Sequence, residues 1–487
     1  MFVMTMTRLC ETVTGDSMAQ LLTARDGATL GDLLELRLDG VGNLDVAAAL
    51  NGRRVPAIVT CRPTWEGGRF EGSEQSRAAI LMRALELGAE FVDVEWRALS
   101  QSSLGGFEDI LKRDRSRLVV SSHDFDGVPA DLEDRARAMR SIGARAIKVA
   151  AMAVRLTDTL VLRRIAQDGG AIVIGMGDAG VPSRLLAARY GSEWTYAGHG
   201  VAPGQVPAPR MLNDFRFHRV SASTRIFGVV STNAMHSFSP VMHNAAFEAG
   251  SVDAVYVPLP TSDFDDFLAY ASALGIEGAS VTIPFKRRAL QAAARSDDLT
   301  QAVGAANTLR RCGSDWEARN TDVDGFLAPL ESAYGAPLLG ARASVLGAGG
   351  ASRAAVVALV RSGADVTVHA RRTEQARELT ALGAEVGPWP PTPGSWDLLV
   401  NGTPLGGVGQ REESPVPVEG LTGQLVYDLT YGPGESVLIR DARKAGCNTL
   451  DGLPMLVAQA ERQFEWWTGQ RPKTGVMADA VRGKNTQ

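Results

Sequence analysis

Residues 343–357 read Ala-Ser-Val-Leu-Gly-Ala-Gly-Gly-Ala-Ser-Arg-Ala-Ala-Val-Val, an apolar run broken by glycines and followed by a helix-compatible stretch from about Ser352. Strand, tight glycine turn and helix together let backbone N–H groups approach a pyrophosphate, because no Cβ blocks them and the helix dipole favours the anion. Gly347, Ala348, Gly349, Gly350 and Ala351 make that turn, with Ser352 standing where the dinucleotide fingerprint prefers Gly or Ala. A second strand is expected over residues 364–369, and it leads into Arg371-Arg372-Thr373. An NAD site would place a carboxylate there for the ribose hydroxyls; two guanidiniums suit a 2′-phosphate, so NADP(H) is the expected cofactor. A solvated arginine pair on a surface loop is the alternative.

The 487 residues exceed what one core supports. With a net charge of −5 and no basic run, nucleic acid is not an expected partner. Cys10, Cys61, Cys312 and Cys447 are scattered, with neither metal-ligand nor disulfide spacing, which fits a reducing compartment and no metal. Residues 1–10 lack the apolar core of a signal peptide, and no window approaches the length of a membrane span. The chain reads as a soluble cytoplasmic protein that acts on small molecules.

Apolar, β-branched runs recur at residues 9–13, 33–38, 55–61, 91–94, 118–121, 144–150, 171–174 and 195–197, separated by amphipathic segments such as 76–87 and 131–142. Eight βα units of this length predict a (β/α)8 TIM barrel, whose function sits at the C-terminal strand ends. Those ends offer Glu35, Arg37 and Asp39, then Arg62 and Glu66, His123, Lys148 and Arg184. Burial of a lone lysine in an apolar strand disfavours its ammonium and favours the free amine that attacks ketones; a snorkelling strand-end lysine is the alternative. His123 beside Lys148 and a carboxylate such as Glu66 or Glu35 is a candidate general acid–base. Arg62 and Arg184 would hold a substrate carboxylate, unless either is a structural ion-pair residue.

In order, Leu34-Glu35-Leu36-Arg37-Leu38-Asp39, Arg62 with Glu66-Gly67-Gly68, Ser122-His123-Asp124-Phe125, Lys148, Ser183-Arg184 and Ala202-Pro203-Gly204-Gln205 resemble type I 3-dehydroquinate dehydratase over residues 8–217. The resemblance implies that Lys148 forms a Schiff base with the substrate ketone, His123 moves protons, Glu66 orients it, and Glu35, Arg37, Arg62, Arg184 and Gln205 bind substrate. The family's closing loop usually carries serine four residues before the glutamine, where this chain has Val201. Valine cannot donate to a substrate hydroxyl, so a weakened dehydratase is expected, with His199 as a possible replacement donor.

After a polar linker at 220–224, a strand at 225–230 opens into Ser237-Phe238-Ser239-Pro240, with proline at the first turn of a helix. Ser237 is a helix cap or part of a hydroxyl-binding platform. A strand ending in Val281-Thr282-Ile283-Pro284-Phe285-Lys286 puts Lys286 on a helix's first turn, where the dipole disfavours a purely structural lysine. Two further strand ends are expected to deliver Asn307-Thr308 and Asn320-Thr321-Asp322 to one edge, so that Asp322 can pair with Lys286 for proton transfer to an alkoxide. Residues 401–405 and 426–431 are expected as later strands and 455–467 as a long helix.

These motifs, together with Asn401-Gly402-Thr403-Pro404 and Met455-Leu456-Val457-Ala458-Gln459, look like shikimate dehydrogenase over residues 225–475. The resemblance implies Lys286 and Asp322 as the catalytic pair, with Ser237, Ser239, Thr282, Asn307 and Gln459 on the ring hydroxyls and carboxylate and Tyr431 near the substrate. It also implies Gly347 to Ala351, Arg371, Arg372, Thr373, Asn401, Thr403 and Gly452 around NADP(H). Ser280 stands where many bacterial members have Asn, as in the fused plant-like enzymes, and Arg371 where Asn is usual.

The expected fold class is α/β: a TIM barrel over 1–217, a linker over 218–224, a substrate domain over 225–335, a Rossmann NADP-binding domain over 336–450, and a C-terminal helix over 451–487 returning to the substrate domain. The expected function is a bifunctional enzyme that dehydrates 3-dehydroquinate and then reduces the product to shikimate. A shikimate or quinate dehydrogenase with an impaired barrel, and a metabolite-sensing regulator, are the alternatives.

Overall fold

In a computed structural model of the chain, which describes residues 7–100, 106–407, 409–410, 412–432 and 434–485, the expected barrel strands are present. They are β1 (Arg8–Val13), β2 (Leu33–Arg37), β3 (Ala57–Thr60), β4 (Phe91–Glu95), β5 (Leu118–Asp124), β6 (Ala146–Met152), β7 (Ala171–Met176) and β8 (Trp194–Ala197). All are parallel, in the order β7-β6-β5-β4-β3-β2-β1-β8. Residues just ahead of β8 close the ring: the Glu193 N–H donates to Ala171 O at 2.9 Å, and Ser192 Oγ accepts from the Val173 N–H at 3.1 Å. Helices cover the outside, so the strands are buried on both faces and read as continuous apolar runs. Pairing of β5 with β6 continues to Asp124 and Ala151, so His123 lies within β5 rather than beyond it.

The chain divides into two compact units, Met1–Arg225 with Val257–Gly275, and Ile226–Tyr256 with Ile276–Gln487. A six-stranded sheet contains β9 (Arg225–Ser231), β10 (Ala254–Pro260), β11 (Ile276–Val281), β12 (Arg295–Ser296), β13 (Thr308–Cys312) and β14 (Asp315–Arg319), in the order β10-β9-β11-β13-β14-β12. Asn307-Thr308 opens β13 instead of ending a strand, because β13 runs antiparallel to β11 and forms a hairpin with β14. The reversal still brings both Asn-Thr pairs to one edge, where the Thr321 N–H donates to Asn307 Oδ1 at 2.8 Å.

A second six-stranded sheet, all parallel, contains β15 (Arg342–Leu346), β16 (Asp365–His369), β17 (Glu385–Val386), β18 (Leu398–Asn401), β19 (Leu425–Asp428) and β20 (Asn448–Leu450), in the order β17-β16-β15-β18-β19-β20. The helix after the glycine turn spans Gly350–Arg361. β18 ends at Asn401 and β19 at Asp428, earlier than expected. Asn401 turns its side chain into the following loop, accepting from the Thr403 N–H at 3.0 Å and donating to Leu405 O at 2.9 Å, which replaces strand pairing. Helix Leu453–Thr468 packs Ala460, Phe464 and Trp467 against Phe227 and Phe247, and its Gln459 and Gln463, one turn apart, share a face.

Candidate active sites

The barrel holds a cavity lined by Glu35, Arg37, Arg62, Glu66, His123, Lys148, Arg184, Val201, Ala202 and Gln205. Lys148 is 5 % exposed, and its ammonium is not isolated as the sequence suggests. Its Nζ lies 3.4 Å from Glu35 Oε1, 3.2 Å from Asp93 Oδ2 and 4.2 Å from the centre of the Tyr196 ring. Thr12 and Thr60 each donate to Glu35 at 2.9 Å. Burial pushes the Glu35 carboxyl up, but Lys148, Arg37 and Arg62 together hold it below its ordinary value.

Arg62 and Arg184 play different parts. Arg62 is bonded to Asp93 at 3.0 Å, to Glu95 at 2.6 Å and to Ser121 at 2.7 Å, and Glu95 also holds the buried Arg77. Asp93 and Glu95 were not among the expected site residues. Their signal was Phe91-Val92-Asp93-Val94-Glu95, two acids two residues apart on one face of a buried strand. Arg37 is likewise engaged, by a bidentate pair with Asp39 at 2.8 and 2.9 Å. Arg184, 1 % exposed, donates to the Pro203 carbonyl at 3.2 Å, and among the described residues its Nε has no partner. Burial lowers its pKa to about 10, so it lines the cavity as a cation without a carboxylate.

Glu66 Oε1 accepts from the His123 backbone N–H at 3.1 Å and lies 2.9 Å from its Nδ1. Burial raises the Glu66 carboxyl to about 8, opposed by Arg62 and helped by Glu95 and Asp93. Burial, then Arg62 and Lys148, pushes His123 well below its ordinary value. Both shifts favour the neutral forms at pH 7, and because Nδ1 is the ring nitrogen bonded to Glu66, Nε2 is the one left for a further partner. Gln205 folds onto its own loop, its Oε1 accepting from the Val201 and Ala202 N–H groups at 3.0 and 3.2 Å. His199 is not among the cavity-lining residues.

In the second unit a cavity of about 170 Å³ gathers Ser237, Ser239, Ser280, Thr282, Lys286, Asn307, Asp322, Tyr431, Gly452, Gln459 and Gln463. Lys286 Nζ donates to Asp322 Oδ2 at 2.6 Å, and Asn307 Nδ2 donates to Asp322 Oδ1 at 2.8 Å. Asn320 Oδ1 accepts from the Asp322 N–H at 3.0 Å, so both oxygens and the backbone of the aspartate are held. Gln463, unassigned from the sequence, donates to Gln459 Oε1 at 2.7 Å and accepts from Ser280 Oγ at 2.6 Å. Its one-turn spacing from Gln459 was the available signal.

Beside this cavity lie Ala348, Gly349, Gly350, Lys286 and Arg353. Gly347 has φ +91°, and a Cβ on Gly350 would sit 3.0 Å from Lys286 Cδ, so the turn is open only because it is glycine. Ser352 is fully buried against Gly402, where a Cβ would come within 2.3 Å of its Oγ, so the serine at the third fingerprint position requires glycine at 402. Arg371, Arg372 and Thr373 are exposed at the end of β16, and neither arginine is ion-paired among the described residues. Open backbone at a helix N-terminus next to free guanidiniums fits a phosphorylated dinucleotide. Asn401, by contrast, spends its amide on Leu405, Thr403 and Asp428 and shapes the loop that carries Thr403.

Comparison with known proteins matches residues 9–221 to the family model for Type I 3-dehydroquinase, 229–309 to Shikimate dehydrogenase substrate binding domain, and 452–482 to Shikimate 5'-dehydrogenase C-terminal domain. A chloroplastic bifunctional 3-dehydroquinate dehydratase/shikimate dehydrogenase of Arabidopsis thaliana is 32 % identical over 499 residues, covering 95 % of this chain and 82 % of its own length. Shikimate dehydrogenase (NADP(+)) of Anaeromyxobacter sp. (strain Fw109-5) is 39 % identical over 54 % of this chain and 97 % of its own. Among solved structures, a shikimate dehydrogenase in complex with NADP+ superposes with a TM-score of 0.52 at 31 % identity, over 55 % of this chain and 98 % of that one. The shikimate dehydrogenase of Aquifex aeolicus gives 0.50 at 30 % identity, over 54 % and 99 %.

The neutral pair has a spectroscopic consequence. Nitrogen NMR of the His123 ring should show a neutral imidazole at neutral pH, perturbed by a step near 8 as Glu66 loses its proton. Glu66→Gln should remove that step, and an imidazole titrating at its ordinary value would contradict the assignment.

Proposed function

Because this chain belongs to the bifunctional 3-dehydroquinate dehydratase/shikimate dehydrogenase family, we infer that its barrel dehydrates 3-dehydroquinate to 3-dehydroshikimate and that its second unit reduces this product to shikimate with NADPH. The observation that carries the reading is the buried Lys148 in one cavity with the His123–Glu66 pair and with Arg184, which has no carboxylate partner among the described residues.

In the barrel, the Lys148 ammonium gives up a proton and attacks the ring ketone as the amine; that proton and one more from the nitrogen leave with the ketone oxygen as water, giving an iminium. The iminium charge occupies the place of the ammonium, between Glu35 and Asp93, so the adduct needs no new counter-charge. His123 Nε2 takes the proton next to the iminium carbon, and the same imidazole returns a proton to the departing hydroxyl. Arg184 binds the substrate carboxylate. Glu35, Arg37, Arg62 and Gln205 shape the rest of the cavity, with Arg62 acting through Asp93 and Glu95. Hydrolysis of the iminium regenerates Lys148.

In the second unit, Ser237, Ser239, Thr282, Asn307, Tyr431 and Gln459 surround the ring. Lys286 and Asp322 deliver a proton to the carbonyl oxygen as it becomes an alkoxide. The turn from Gly347 to Ala351, Arg371, Arg372 and Thr373, and the loops of Asn401, Thr403 and Gly452 would hold NADP(H), which would supply the hydride when bound. The proposed boundaries are barrel 1–217, substrate domain 225–335, nucleotide domain 336–450 and closing helix 451–487. No helix among the described residues is long and apolar enough to cross a membrane. Four free cysteines favour a reducing compartment, and the cytoplasm is the proposed one.

The test is the purified chain with 3-dehydroquinate and NADPH, followed by nicotinamide absorbance, with borohydride to trap the Lys148 adduct. Lys148→Ala should lower dehydration at least about a thousandfold while added 3-dehydroshikimate is still reduced, and Lys286→Ala should do the reverse. Consumption of NADPH from 3-dehydroquinate by Lys148→Ala would refute the barrel assignment. Replacing Arg371 and Arg372 by Ala should shift the NADP/NAD preference by about tenfold or more; an unchanged ratio would remove them from the cofactor site. Val201→Ser should lower the dehydratase KM by up to about tenfold, and an unchanged KM would mean that the loop binds substrate another way.

A further inference from the structure

The first compact unit contains a segment from far outside the barrel sequence, Val257–Gly275, which falls within the stretch matched by the substrate-binding family model. Its helix, Phe264–Leu274, is held to the barrel by side chains directed at backbone groups, a mode of contact that fixes position more sharply than apolar packing. At the helix C-terminus, Arg163 donates to Ala273 O at 2.6 Å and Arg189 to Leu274 O at 3.0 Å. In the middle, Tyr270 Oη lies 3.0 Å from Tyr190 Oη, which is 2.6 Å from Thr159 Oγ1.

Asp266 is the principal contact. It is 1 % exposed, and its carboxylate accepts from the Leu156 N–H at 2.8 Å, the Thr157 N–H at 3.1 Å and Thr157 Oγ1 at 2.5 Å. These donors open the short turn Leu156–Thr159; the barrel's own Asp158 takes the N–H groups just before them, of Val154 and Arg155, at 2.9 and 2.8 Å, and Asp266 takes those of Leu156 and Thr157. That turn directly follows β6, the strand of Lys148.

A stack of close backbone contacts runs from this turn to the cavity. The Ala153 N–H donates to Met176 O at 3.0 Å. Gly177, at φ +73°, would bring a Cβ within 2.9 Å of Met152 Sδ, and a Cβ on Gly204 would lie 2.6 Å from Gly177 O. Gly204 precedes Gln205 in the loop that lines the cavity. Gly177 thus touches both the segment that follows β6 and the Gln205 loop, so the position of the one bears on the position of the other.

We propose that Asp266 is a positioning residue for the dehydratase: through the 153–157 turn and Gly177 it sets the seat of the substrate-covering loop that carries Gln205. The barrel of this chain is thus completed by a helix outside its own family boundary. The proposal rests on the dehydratase reading above.

Asp266→Ala and, from the barrel side, Thr157→Val are compared with the wild-type full chain for both activities. The dehydratase KM should rise about tenfold in Asp266→Ala and less in Thr157→Val, with dehydrogenase constants within about twofold of wild type. In a Gln205→Ala background, Asp266→Ala should add little, because both act through one loop. An unchanged dehydratase KM in both variants, full additivity with Gln205→Ala, or equal loss of both activities would overturn the proposal. A wild-type chain that cannot dehydrate 3-dehydroquinate would overturn this proposal and the dehydratase reading together.

Discussion

An ammonium inside a closed parallel barrel has no water to solvate it, and the organisation of the first unit follows from that constraint. Lys148 requires Glu35 and Asp93; Asp93 requires Arg62; Arg62 requires Glu95; and Glu95 in turn holds Arg77. Three cations, Lys148, Arg62 and Arg77, thus interleave with three carboxylates, Glu35, Asp93 and Glu95. Removing one member would leave a buried charge uncompensated, a cost of about 3–5 kcal/mol. Against this balanced set, Glu66 and His123 are neutral and Arg184 is the surplus positive charge. A carboxylate ligand supplies what the cavity lacks.

The second unit solves a different problem with neutral groups. Its catalytic pair lies at a strand edge, and its surroundings are hydroxyls and amides whose hydrogen bonds run from Ser280 through Gln463 and Gln459 to Asn307 and Asp322. Amides can both donate and accept, so such a chain presents polar groups to a polyol ring without burying charge. The only charges in direct play are Lys286 and Asp322, and they neutralise each other. Charge is concentrated among the residues lining the barrel cavity and is sparse among those lining the second.

Residue type and spacing made the chemistry legible wherever it depends on chain-local geometry. The glycine turn at 347–350, the lysine inside β6 and the eight apolar runs could each be read directly, because strand alternation and backbone approach are set by neighbours in sequence. Less legible were the partners. Arg62 and Arg184 both read as carboxylate-binding arginines, and only the packing of β4 beside β3 shows Arg62 engaged and Arg184 free. Asn307-Thr308 was placed at the wrong end of its strand, since a hairpin and a parallel strand share the same local pattern until the pairing partner is known.

The sequence by itself determined the order of the domains, the positions of Lys148, Lys286 and the phosphate-binding turn, and the family to which each half belongs. All of these rest on periodicity and motif spacing along one stretch of chain. Only the tertiary structure decided the protonation of Glu66 and His123, the saturation of Arg62, and the capping of a barrel turn by Asp266 over a hundred residues away. Those properties depend on burial and on charges brought within a few ångströms by folding, and a linear pattern carries no record of either.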